Sequence, residues 1–141
     1  MEAKIVTNNK EKDDAFTVRK IVFVDEQNVP MEEEIDQYED SATHIVLYDN
    51  GEPVGAGRFR EVDGLGKVER ICVLASHRKK GAGNIIMTKI EDLAKEHGLK
   101  KLKLNAQTHA QTFYKKLGYE TVSGIFMDAG IPHVTMTKEI N

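Results

Sequence analysis

The residues from Val68 to Met87 constrain this chain more than any other stretch, because they join a strand to a helix through a basic, glycine-containing turn. Val68, Ile71, Cys72, Val73 and Leu74 are apolar and largely β-prone, which predicts a buried strand. From Asn84 to Lys95, Ile85, Ile86, Ile90 and Leu93 recur at helical spacing, with Thr88, Glu91, Asp92 and Lys95 on the wetter side. Between the two lies Arg78-Lys79-Lys80-Gly81-Ala82-Gly83. Glycines at such a junction let backbone N–H groups approach a ligand, and a helix N-terminus favours negative charge. With the cations beside them, these residues point to a pocket for a diphosphate, although a tight turn alone would explain one glycine. The spacing excludes two common phosphate motifs. No Gly-x-x-x-x-Gly-Lys-Ser/Thr is present, and Gly81-Ala-Gly83-Asn-Ile-Ile86 lacks the third small residue of the dinucleotide fingerprint.

A chain of 141 residues supports one domain, taken here as 1–141, with 40% hydrophobic and 30% charged residues as in a soluble globular protein. The net charge of −3 implies no general attraction to nucleic acid or membrane. A single cysteine excludes an internal disulfide and fits a reducing compartment. No signal-like apolar core or transmembrane run is present, so a cytoplasmic protein is expected. Scattered histidines supply no metal-ligand spacing, so no metal is expected. Oligomeric state is left open, a homodimer included.

The expected elements are a strand near 3–7, a helix over 11–24, and an acidic helical turn after Pro30. A hairpin of strands at 43–48 and 53–60 follows, joined by Asn50-Gly51, then the strand–turn–helix above. A strand at 99–105, a helix at 106–117 closed by Gly118, and two tail strands near 120–127 and 134–139 complete the order. This is an α+β layered domain, a mixed sheet with helices on both faces.

Arg78-x-x-Gly81-x-Gly83 resembles the acetyl-CoA diphosphate loop of the GNAT N-acetyltransferases, and the order of elements resembles that family along the whole chain. Phe113-Tyr114-Lys-Lys-Leu-Gly118-Tyr119 is similar to the family's second signature. The resemblance implies a GNAT-like mixed central sheet and direct transfer of an acetyl group from acetyl-CoA to a primary amine of a small molecule or peptide. It places the diphosphate on Arg78 and on the amides of Lys79, Lys80, Gly81, Ala82, Gly83 and Asn84. The pantetheine would follow the main chain of Ile71, Cys72 and Val73, with Asn105 at its arm, and Tyr114 would give a proton to the departing thiolate. Read without the resemblance, Tyr114 is an aromatic core residue and Cys72 a small one. The sequence also admits a non-catalytic acyl-CoA-binding module.

The attacking amine must be neutral, whereas a lysine-like amine has a pKa of about 10.4 in water. Glu69 lies where several family members carry an activating acid, and a solvent-facing strand residue is the other reading. His109 and His133 are further candidates for proton relay at the substrate site. Arg19 through Phe23-Val-Asp-Glu26-Gln27-Asn28-Val29-Pro30, Ala42-Thr43-His44 and Asp128-Ala-Gly-Ile-Pro132-His133 resemble the ElaA-like branch of the family. That resemblance assigns Arg19, Glu26 and Gln27 to the substrate cleft. The Glu32-Glu33-Glu34 run reads as a solvated face or, at the cleft border, as a preference for cationic acceptors such as polyamines, basic peptides or aminoglycoside-like amines.

Overall fold

A computed structural model of the chain describes residues 1–140. Eight strands form one sheet: β1 (Glu2–Ile5), β2 (Thr43–Asp49), β3 (Glu52–Val62), β4 (Leu65–Val73), β5 (Lys101–Gln107), β6 (Glu120–Thr121), β7 (Phe126–Asp128) and β8 (Ile131–Glu139). Their order is β1-β2-β3-β4-β5-β8-β6, with β7 also paired to β8. The β2–β3 hairpin turns at Asn50 (φ 51°) and Gly51 (φ 82°), the left-handed pair that a two-residue turn requires.

Four helices flank the sheet: α1 (Asn9–Arg19), α2 (Met31–Glu34), α3 (Ala82–Glu96) and α4 (Gln111–Lys116). Ala15, Val18 and Val22 of the first helical segment pack with Val46, Ala56 and Cys72 on one face. On the other face Ile86, Ile90 and Leu93 of α3 and Tyr114 of α4 join Leu102, Leu104, Val134 and Met136 in the larger core. The expected mixed sheet with helices on both faces is therefore the architecture observed. Among the described residues no helix is long and apolar enough to cross a membrane.

Three segments depart from the sequence reading. The first helix starts at an Asn8 cap, whose side chain accepts from the Glu11 amide, but it changes at Lys20 into a π-helix running to Glu26. β5 extends to Gln107, and a 3-10 turn (Thr108–Ala110) precedes a shorter α4 than expected. The segment near 120–127 forms two short strands, β6 and β7, which pair with the one long strand β8 in different registers, Glu120 against Thr137 but Phe126 against His133.

Among the described residues the only parallel pair is β4 with β5, and its register covers just Gly66–Val68 against Leu102–Leu104. Beyond that the strands part. On the β3 side, Ala56 faces Cys72 but Arg58 faces Glu69, so one residue of β3 opposes two of β4. This bulge puts Arg70 at φ 57°, a left-handed conformation rarely adopted by a non-glycine residue, and bends β4 away from β5. The Arg70 guanidinium is anchored on the Glu34 and Asp36 carboxylates and the Glu34 carbonyl, which holds the strained residue in place.

Candidate active site

The parting of β4 and β5 opens a cleft of about 820 Å³. Its walls bring together Glu69, Ile71, Cys72, Val73 and Arg78 from β4 and the following loop, and Asn105, His109 and Tyr114 from β5 and beyond. Glu26 and Gln27 come from the end of the π-helix, and His133 from β8. Of the residues expected from the sequence, these lie together on one surface. The β5-facing main chain of β4 past Val68 has no strand partner, which leaves peptide groups free to take a ligand arm. One of them is engaged: the Val73 carbonyl accepts from Arg78 Nε at 3.0 Å.

Of the expected diphosphate residues only Arg78 lines the cleft; beyond it the rest of the turn into α3 has the shape expected of an anion cradle. Lys79 (φ 62°) and Gly81 (φ 82°) are both left-handed. The first backbone bond of the helix runs from the Ile85 amide to the Gly81 carbonyl, so the amides of Ala82, Gly83 and Asn84 precede the helical ladder. Lys79 and Lys80 are exposed, Ala82 is buried in the core, and the Asn84 side chain borders a separate shallow groove with Met1–Ala3. Gly83 is small for a packing reason as well: a Cβ there would sit 2.9 Å from the Phe113 ring. Arg78 does not wait unpaired. Its Nη2 donates to both Glu26 oxygens, at 3.0 and 2.8 Å.

Tyr114 is 8% exposed and lines the cleft, with its ring held edge-on between Phe113 and Tyr119. Its hydroxyl has no hydrogen-bond partner among the described residues. Burial and the neighbouring Cys72 both push the phenol pKa up, so the group stays protonated and carries a hydrogen to donate. The Cys72 thiol is pushed up to about 12, chiefly by burial, which excludes a thiolate nucleophile near neutral pH.

Two sequence expectations meet obstacles in the structure. Arg19 does not reach the cleft: it is 1% exposed, donates to Glu34 and Glu39, and lies in a buried ion network. Glu69 does reach the cleft but is bound by guanidinium groups. It accepts from Arg58 Nη2 at 2.9 Å and from Arg60 Nε at 2.6 Å, with Lys67 at 3.6 Å. Burial opposes its charge, yet the Arg60 bond and the Arg58 charge outweigh that and hold its carboxyl below the usual range. A carboxylate so stabilised is a poor base.

A second bridge across the cleft was not foreseeable from sequence. Gln107 Nε2 donates to Gln27 Oε1 at 2.8 Å, and Gln107 Oε1 accepts from His109 Nε2 at 2.6 Å. Glutamines far apart in sequence carry no pairing signal of their own.

The open β4–β5 cleft with a buried phenol at its wall has room for an extended acyl donor, and the relatives of this chain give its class, an acyltransferase. The chain matches the family described as "Acetyltransferase (GNAT) domain" over residues 9–140, and it belongs to that family. It is 56% identical over 140 residues to the N-acetyltransferase YjcF of Bacillus subtilis, covering 99% of this chain and 100% of that one. The crystal structure of Escherichia coli ElaA superposes with a TM-score of 0.87 at 26% identity, over 98% of this chain and 99% of that one. An aminoglycoside 6'-N-acetyltransferase complexed with coenzyme A shares the fold, with a TM-score of 0.80 at 18% identity over 100% of this chain and 98% of that one.

Proposed function

We propose that the protein transfers an acetyl group from acetyl-CoA directly to a primary amine. The observation that carries this reading is the Tyr114 hydroxyl, buried at the cleft wall, protonated and without a hydrogen-bond partner among the described residues. Thioester aminolysis needs such a group, because the departing thiolate must take a proton. The diphosphate would bind the Arg78–Asn84 turn and the pantetheine the β5-facing side of the Ile71–Val73 main chain, with Asn105 beside it. Asn105 Oδ1 accepts from Thr135 Oγ1 at 2.9 Å, which leaves its amide N–H groups available.

The acceptor side carries Glu33 and Asp128, neither ion-paired among the described residues, while Glu34 and Glu69 are neutralised by arginines. That balance favours a cationic amine over an anionic one.

Thermal unfolding with acetyl-CoA, against adenosine diphosphate as control, tests the donor site. Ligand at about 100 times its dissociation constant adds about 2.7 kcal/mol, which raises the midpoint by roughly 5–10 °C in a domain of this size. A shift with acetyl-CoA well beyond that with the control, followed by CoA release when an amine is added, supports the reading. No shift overturns it.

A further inference from the structure

On acetyl transfer as proposed above, the proton of the attacking amine needs an acceptor, and Glu69 is a poor one. We propose that His133 Nε2 is that acceptor, the general base of the reaction.

The inference starts from strand register. β5 and β8 pair Gln107 with His133, Asn105 with Thr135 and Lys103 with Thr137. The alternate pairs, Leu104 with Met136 and Ala106 with Val134, point into the core beneath α3 and α4. His133 therefore sits on the sheet face opposite α3 and α4, in line with Asn105. Tyr114 enters the cleft from the α4 side. The open β4–β5 seam thus has a proton donor reaching it from one face of the sheet and an imidazole on the other. An amine attacking from the His133 face expels the thiolate toward Tyr114.

The imidazole is also in a defined state. Its Nδ1 lies 2.7 Å from the Ile131 carbonyl oxygen, which can only accept, so Nδ1 carries the hydrogen. In the neutral ring Nε2 then has a free lone pair, and it has no hydrogen-bond partner among the described residues. The side chain is 8% exposed, lines the cleft, and stacks on Phe126 at 6.0 Å between centroids. The other titratable groups lining the cleft near it are His109 and Asp128. His109 differs in that its Nε2 is engaged by Gln107.

The balance of the step is simple. A C–N bond forms as the C–S bond breaks, Nε2 takes the proton from nitrogen, and Tyr114 protonates sulfur. The imidazolium then returns its proton to the phenolate through water. An acceptor arriving as an ammonium loses one further proton to solvent.

The test follows CoA release from acetyl-CoA with spermidine, an Nα-blocked lysine amide and an aminoglycoside as acceptors. His133→Asn keeps an N–H directed at the Ile131 carbonyl but removes the base. It should lower turnover about 100-fold or more while leaving acetyl-CoA affinity unchanged. His133→Ala should lose activity similarly and regain part of it with added imidazole, which a merely structural role would not allow. His133→Asn turnover within about threefold of wild type, or loss in His133→Ala that imidazole does not restore, overturns the assignment. A wild-type protein inert toward every amine would instead bring down amine acetylation, and this inference with it.

Discussion

At the scale of single residues, the cleft separates groups that look alike in the sequence. Tyr114 and Tyr119 are both buried tyrosines in one motif, yet Tyr114 lines the cleft and Tyr119 does not. Replacing Tyr114 by Phe removes one oxygen and keeps the edge-on ring packing, so the fold and acetyl-CoA affinity should be preserved. Turnover should fall about 100- to 1,000-fold, as expected for loss of one general acid, when CoA release is measured under saturating donor. Normal turnover would show that the thiolate takes its proton elsewhere. The place of Tyr114 at the cleft was legible because its motif is local. The standing of Glu69 was not, since its carboxylate is claimed by Arg58 and Arg60, and only the β3–β4 register puts those side chains beside it. Arg19 shows the same limit. The segment that carries it reads as a cleft motif, but Arg19 pairs with Glu34 and Glu39, 15 and 20 residues away. Glu34 in turn is one member of an acidic run that otherwise looks solvated, and it is 2% exposed.

At the scale of elements, the π-helix over Lys20–Glu26 is the departure with a functional consequence. Apolar spacing predicted one regular helix here, and nothing local marks the wider turn. The π turn ends with Glu26 facing Arg78 and Gln27 facing Gln107, so one short segment bridges the diphosphate turn and β5 across the same cleft. π segments occur often at functional sites. In the proposed complex the donor diphosphate competes with Glu26 for Arg78, and the Glu26 charge repels it. Glu26→Gln should therefore tighten CoA binding. The pair is about 40% exposed, and such a pair contributes up to about 1 kcal/mol, which corresponds to about fivefold in dissociation constant by calorimetry. Arg78→Gln should weaken binding. If Glu26→Gln leaves affinity unchanged, Arg78 does not meet the diphosphate, and the anion would have to rest on the α3 amides and lysines alone.

At the scale of the whole molecule, one ion network ties the acceptor wall to the sheet. Arg58, with a fully buried side chain, donates to Asp36, Glu39 and Glu69, and Arg19 and Arg70 hold Glu34. These bonds fix residues 31–40, including Glu33 at the cleft, against β3 and β4. The network also sets the response to acid. For Asp36 burial favours the neutral form, but the Arg58 bond and the Arg70 charge outweigh it and lower the pKa from 3.8 to about 2. For Glu39 burial acts in the same direction, and Arg19 with Arg58 bring the pKa from 4.5 to about 2. Because both are lower in the folded state, the unfolded chain binds more protons between those limits. Their stabilisation is complete above about pH 4.5 and is lost as the pH falls toward about 2. Urea unfolding at steps from pH 6 down to pH 3 should show the decline. Arg58→Met removes the shared cation and leaves Asp36, Glu39 and Glu69 with fewer partners. It should cost about 3–5 kcal/mol at neutral pH, as expected when one member of a buried pair is removed. The acid-dependent loss should flatten with it, since carboxyls relieved of Arg58 titrate closer to their unfolded values. A variant as stable as the parent at neutral pH, with an unchanged acid profile, would show that the network does not bear on stability. The segment's position would then have to come from the apolar contacts of the chain around it.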